Sequence, residues 1–157
     1  MRKGKEEEEE RIEDMMKMDY ELPALKMLIA HLRPARPISH TTADGTPAPA
    51  MALGNLRFQR AWLQGMIVRE LEGERVALDD GSGVIELFLT KQALRPWKLG
   101  TYVFVVGQYM IDNGLPLIKA HKIIDISTSP DREAMWNLEV IEAHHLFYAS
   151  RIGKVLV

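Results

Sequence analysis

Three groups of residues have types and spacings that could carry chemistry. The first is Asp79-Asp80-Gly81-Ser82-Gly83. Two carboxylates and a hydroxyl in five residues suggest a cation loop, but a calcium-binding loop needs further spaced oxygens and a closing glutamate, and neither follows. The run therefore reads as a hairpin turn, with Gly81 or Gly83 taking a positive φ. The second group is the adjacent pair His144-His145. Zinc-binding helices present ligands at i and i+4, whereas neighbours on a helix diverge by roughly 100°, so the pair is not read as a metal site. His31, His40 and His121 stand isolated. The third group is basic and aromatic: Arg60, Arg69, Arg75, Lys91, Arg95, Lys98 and Lys119, interspersed with Trp62, Phe88, Tyr102, Phe104 and Tyr109. Such a mixture can build a single-strand nucleic-acid groove. These aromatics lie among aliphatic residues, however, where core or interface packing is their expected use.

The remaining catalytic signatures are missing. The sequence contains no GxSxG elbow, phosphate loop or dinucleotide fingerprint. It contains no cysteine, which excludes disulfides, thiolate metal sites and cysteine nucleophiles. No catalytic, cofactor-binding or metal-ligating residue is expected, and the chain is read as a non-enzyme without a cofactor.

The elements that would position these residues follow from periodicity. The chain has 157 residues, enough for one domain with a flank. Residues 1–14 hold four basic and seven acidic residues, including Glu6 to Glu10, and 1–19 reads as a disordered acidic arm. Met18 is an expected alternative start. Setting residues 1–14 aside leaves 16 basic and 15 acidic residues, a net of +1. A protein held to nucleic acid by phosphate neutralisation carries a clear basic excess, so weak or no direct nucleic-acid binding is expected. There is no apolar run of membrane-spanning length and no signal peptide, so an intracellular protein is expected.

The domain is expected over 20–149, followed by a tail at 150–157. Leu25, Leu28, Ile29 and Leu32 recur at helical spacing and predict an N-terminal helix, with Pro23 in its first turn. Residues 34–57, rich in proline, threonine and glycine, read as a connector. Five strands follow, at 61–68, 75–79, 84–89, 102–109 and 115–126, with Gly65 and Gly107 inside strands. Ser129-Pro130 then opens a helix running to about Tyr148. The fold class is mainly β: a five-stranded OB-fold barrel with an N-terminal and a C-terminal helix.

The last helix carries the most specific functional signal. At about 100° per residue its apolar residues divide into two stripes. One holds Trp136, Val140, Ala143 and Phe147; the other holds Ala134, Leu138, Ile141 and Tyr148. A helix on a monomeric barrel needs one apolar stripe, so the second argues for a partner, most simply a partner helix. The stripe with Trp136, Val140 and Phe147 is expected to face the partner, while Leu138 and Ile141 hold the helix on the barrel.

These segments resemble the family of RecQ-mediated genome instability protein 2. The resemblance runs from Leu22 to about Tyr148 and rests on Ala24-Leu25-Lys26-Met27-Leu28, Ala61-Trp62-Leu63-Gln64-Gly65 and Leu78-Asp79-Asp80-Gly81-Ser82-Gly83. It also rests on Leu99-Gly100-Thr101-Tyr102-Val103-Phe104-Val105, Leu117-Ile118-Lys119-Ala120-His121-Lys122, and Ser129-Pro130 followed by Met135-Trp136-Asn137-Leu138-Glu139-Val140. The acidic arm and residues 150–157 fall outside it.

The resemblance implies a nuclear, non-catalytic OB-fold adaptor that pairs with the OB domain of a larger RMI subunit. The implied assembly contains topoisomerase III alpha and a Bloom-type RecQ helicase, dissolves double Holliday junctions and suppresses crossovers. It further implies that Lys122 lies on a docking surface for that helicase and for a Fanconi-type helicase. Strand parity puts Lys122 on the face of Ile118 and Ala120, so the lysine must snorkel or the strand must bulge. The alternatives are a single-stranded DNA-binding OB subunit of a replication protein A-like complex and a telomere-capping OB subunit.

Overall fold

The computed structural model describes residues 2–7 and 18–152. Alternation of apolar residues builds its central feature. Along β5 (Arg60–Leu71), Ala61, Leu63 and Ile67 point inward. They meet Val76 and Leu78 of β6 (Arg75–Asp79) and Ile85, Leu87 and Leu89 of β7 (Val84–Leu89). Val103, Val105 and Tyr109 of β8 (Tyr102–Asp112) and Ile118 and Ala120 of β9 (Leu115–Asp125) complete the core. β5 pairs with β6, β6 with β7, and β8 with both β9 and β5, all antiparallel; β7 pairs with β9 in parallel. The circuit closes a five-stranded barrel with OB topology.

Closure requires a tight corner where β8 crosses β9. Gly107 stands opposite Ala120, and a Cβ there would collide with the Lys119 carbonyl oxygen. Gly65 meets the Asp79 carbonyl in the same way. The interior glycines thus mark the places where the barrel coils.

The N-terminal helix is shorter than its periodicity predicts. Leu25–Lys26 is a short strand, β1, in parallel register with Ala61–Trp62, and only Ile29–Leu32 is helical (α1). Leu25, Met27 and Ile29 are all buried, a spacing of two that suits a strand as well as the helical reading suits Leu25, Leu28, Ile29 and Leu32. The predicted hairpin turn explains α1. Asp80 Oδ2 accepts from the Ile29 N–H at 2.7 Å, and Ser82 Oγ accepts from the Ala30 N–H at 3.1 Å. These are orphan donors of a helix start, satisfied across the chain. Gly81, at φ 86°, is the left-handed residue of that turn.

The connector is also corrected. Residues within 34–57 form an antiparallel three-stranded sheet of β2 (Arg36–Thr41), β3 (Pro47–Leu53) and β4 (Leu56–Phe58). Proline argued against strands here because it cannot donate to a ladder. The Pro49 carbonyl, however, accepts from Gln59 Nε2 at 2.7 Å, on the side away from β2. Pro47, two residues earlier, shares that orientation, so neither proline removes a bond to β2.

After Asp125 the chain turns into α2 (Arg132–Ala143), one wide π turn (His144–Tyr148) and a last helical turn α3 (Ala149–Ile152). Ser129 does not cap α2: its N–H donates to the Ile126 carbonyl, and Asp131, at φ 61°, is the cap residue. The tail takes part in the fold as far as it is described. The Asn55 N–H donates to the Arg151 carbonyl at 3.0 Å, and Ile152 packs against the core. Residues 2–7 are helical and exposed; most of the acidic-arm expectation and residues 153–157 lie outside the described residues.

Candidate partner interface

α2 and its π turn lie on the barrel through one apolar stripe. Trp136 is 1 % exposed and Val140 3 %, and Ala143, His144 and Tyr148 are also buried. Trp136 meets Phe104 edge-on, with ring centroids 6.4 Å apart, and Phe104 meets Trp62 at 5.8 Å. The Lys26 ammonium sits 5.1 Å over the Trp62 ring. Further along, the Tyr148 hydroxyl accepts from the Lys26 N–H at 3.1 Å. The C-terminal helix is therefore fixed to its own barrel by an aromatic ladder at one end and by Tyr148 at the other.

This corrects the assignment of the two faces. Trp136 and Val140 face the barrel, whereas Leu138 and Ile141, expected to hold the helix down, are 62 % and 53 % exposed. Both stripes were real; periodicity separates them but carries no information on which one meets the barrel. Spacing groups Phe147 with Trp136, yet Phe147 is 66 % exposed and Tyr148 takes the inward position. The cause is the π turn. Its extra residue delays the return to the inner face from the fourth residue after Ala143 to the fifth. Phe147 thus joins Leu138 and Ile141, which belong to the other stripe, on the outside. Met135 and Leu146, also exposed, widen the patch, and the stripe count missed both.

The flanks of this ridge differ. On the Asn137 side a cavity of about 570 Å³ is lined by Leu28, His31, Val140, Ile141, His144 and His145. Burial, with His145 and His31 nearby, pushes the His144 pKa below the usual imidazole value, which favours the neutral ring. The opposite flank carries Glu139 and Glu142 and is open over Trp62 and Phe147. Lys26 approaches Glu139 at 3.9 Å there. An apolar ridge with a groove on one side and carboxylates on the other has the relief that helix packing uses. No helix among the described residues is long and apolar enough to cross a membrane.

Lys122 lies elsewhere, on β9. The strand does bulge: Gly107 pairs with Ala120 and Val106 with Lys122, leaving His121 as the extra residue. The bulge turns Lys122 outward, where it is exposed, while Ile118 and Ala120 stay in the core. The structure therefore does not bring Lys122 onto the helix with the other candidate residues. Of the basic set, Arg75 is held by Glu86 at 3.1 Å and Asp112 at 3.3 Å, which offsets its charge on the outer wall of the barrel. Tyr109 is in the core beside Phe58, and burial pushes its pKa to about 12.

Comparison with known proteins agrees with this architecture. The family model described as RecQ-mediated genome instability protein 2 matches residues 23–144. The mouse protein of that name is 32 % identical over 132 residues, covering 78 % of this chain and 83 % of its own. The chicken protein is 31 % identical over 136 residues, covering 79 % and 93 %. Among solved structures, a chain of the fission yeast Stn1-Ten1 complex superposes with a TM-score of 0.67 at 12 % identity, over 83 % of this chain and 98 % of that one. A chain of a replication protein A heterotrimer bound to single-stranded DNA gives 0.61 at 16 %, over 78 % and 96 %. These two likenesses establish the OB fold.

Proposed function

The chain belongs to the RecQ-mediated genome instability protein 2 family, and on that premise we propose that it is a non-catalytic OB-fold adaptor subunit working through protein contacts in genome maintenance. Its partner is the OB domain of a larger RMI subunit, met through the outer face of the C-terminal helix. The pair stabilises and recruits a topoisomerase III alpha and Bloom-type RecQ helicase complex for dissolution of double Holliday junctions, and it acts in the nucleus. One observation carries this reading. The helix has two apolar faces, the barrel already consumes one, and Leu138, Ile141 and Phe147 remain in solvent. An apolar ridge of that kind marks a contact surface. Lys122, exposed on its bulge, is the proposed docking point for the helicase or a Fanconi-type helicase.

The paired carboxylates on Arg75 weigh against the single-strand-binding alternative, because they remove positive charge from the barrel wall. The test is purification of the tagged chain from nuclear extract at moderate salt, with nuclease added. Recovery of a topoisomerase III and a RecQ helicase in stoichiometric amounts is expected. Recovery of single-strand-binding or telomere-capping subunits in their place would refute the proposal.

A further inference from the structure

The outer ridge of the C-terminal helix is not wholly apolar. Glu142 stands inside its outline: Leu138 lies one turn before it, Leu146 about one turn after it, and Met135 two turns before it on the same side. All four residues are exposed. So is Phe147, which shares with Glu142 the border of the cleft over Trp62. The last turn of α2 has no basic residue to balance the carboxylate. Lys26, the cation on that flank, is 3.9 Å from Glu139 and lies over the Trp62 ring. His145, three residues on, meets His144 edge-on, with ring centroids 5.7 Å apart. Among the described residues the Glu142 carboxylate has no ion-pair or hydrogen-bond partner.

A carboxylate inside a closing interface loses its water and costs affinity unless a cation meets it. A purely apolar partner surface would leave Glu142 unpaired, and an acidic one would repel it. A second copy of this chain is the worst fit. Two copies joined by the ridge about a two-fold axis present the same patch to each other, so the flank with Glu139 and Glu142 on one copy meets the same flank on the other. Like charges then oppose the contact. We propose that Glu142 selects the partner of this face: the helix it accepts carries a basic side chain opposite Glu142, and the same carboxylate keeps two copies of this chain from pairing through the ridge. This selection rests on the outer face being the partner contact, and adds the chemistry that the partner must bring there.

The test uses the full chain and the larger RMI subunit, and measures the dissociation constant of the pair. Glu142→Lys should weaken pairing by about tenfold or more, because like charges brought together in an interface strongly disfavour it. The melting temperature of the chain alone should hold, since the residue is exposed. Each Lys and Arg on the contacting helix of the partner is then changed to Glu, one at a time. One of these reversals should restore pairing with Glu142→Lys to within about threefold of the original, the mark of a direct charge pair. In sedimentation of the chain alone, Glu142→Leu completes the apolar ridge and should dimerise at concentrations where the original chain stays monomeric. Leu138→Glu with Ile141→Glu is the control for the face. If the control separates the two proteins while Glu142→Lys pairs as tightly as the original, the face is right and selection by Glu142 is overturned. A loss in Glu142→Lys that no reversal on the partner repairs overturns it too, because bulk and not charge would then be at work. If the control still pairs, the face itself is wrong and the selection falls with it. A Glu142→Leu chain that stays monomeric would overturn the bar on self-pairing.

Discussion

Truncating Trp136 to alanine should damage the isolated domain before it damages any complex. The indole is 1 % exposed, lies against Phe104 and closes the inner stripe with Val140. Replacing a buried tryptophan by alanine costs about 3–5 kcal/mol, from lost burial and the cavity left behind. For a domain of this size each kcal/mol moves the melting temperature by roughly 2–4 °C, so a fall of about 6–20 °C is expected. Thermal and urea unfolding of the chain alone, followed by far-ultraviolet circular dichroism, measure it. The urea midpoint should drop without a change of slope, since the surface exposed on unfolding is nearly the same. The complex with the larger subunit should survive at low temperature, because the indole lies under the helix and not on its outer face. A Trp136→Ala chain that melts within about 2 °C of the original yet no longer pairs would refute the assignment of faces.

Other perturbations separate the remaining elements. Lys122→Ala should change stability by less than about 0.5 kcal/mol, as exposed substitutions do. It should keep pairing with the larger subunit and weaken helicase recruitment in a pull-down; an unfolded Lys122→Ala domain would make the residue structural. Gly107→Ala forces a methyl into the Lys119 carbonyl and should cost about 1–3 kcal/mol, read as a lower urea midpoint. His144 predicts a pH dependence. Its folded pKa lies below the unfolded value near 6.5, so the unfolded state binds the proton more readily. The stability it contributes is complete above about pH 6.5 and is lost as pH falls through the folded pKa. Melting curves between pH 7.5 and 5 should therefore fall more steeply for the original chain than for His144→Asn.

The barrel was legible in the sequence because its signals are local. Alternation, the Asp-Gly-Ser-Gly turn and the interior glycines each report a backbone requirement at their own position, and β5 to β9 lie where those signals put them. The first sixty residues were less legible because two readings compete there. Leu25, Met27 and Ile29 fit a strand, Leu25, Leu28, Ile29 and Leu32 fit a helix, and the parallel neighbour at Ala61–Trp62 decides between them. The prolines of β3 looked like breakers because their harmlessness depends on which side β2 occupies.

The interface was half legible for a related reason. Two stripes follow from spacing alone, but which of them touches the barrel is a property of the docked helix. The π turn that separates Phe147 from Trp136 has no residue signature among His144 to Tyr148. Lys122 was the opposite case. Its conflict with strand parity was visible in the sequence, and the bulge at His121 resolves it.

If the outer face of the C-terminal helix joins this chain to its partner, charges placed on that face should break the pair. Leu138→Glu with Ile141→Glu places two carboxylates on that face, at side chains 62 % and 53 % exposed in the free chain. The double variant is co-expressed with the larger RMI subunit and passed over a size-exclusion column, and the melting temperature of the chain alone is recorded. An unchanged melting temperature and separate elution of the two proteins are expected, since an interface residue of this kind contributes about 2 kcal/mol or more and buried unpaired carboxylates add to the loss. A double variant that still elutes as a stable heterodimer would contradict that role for the outer face.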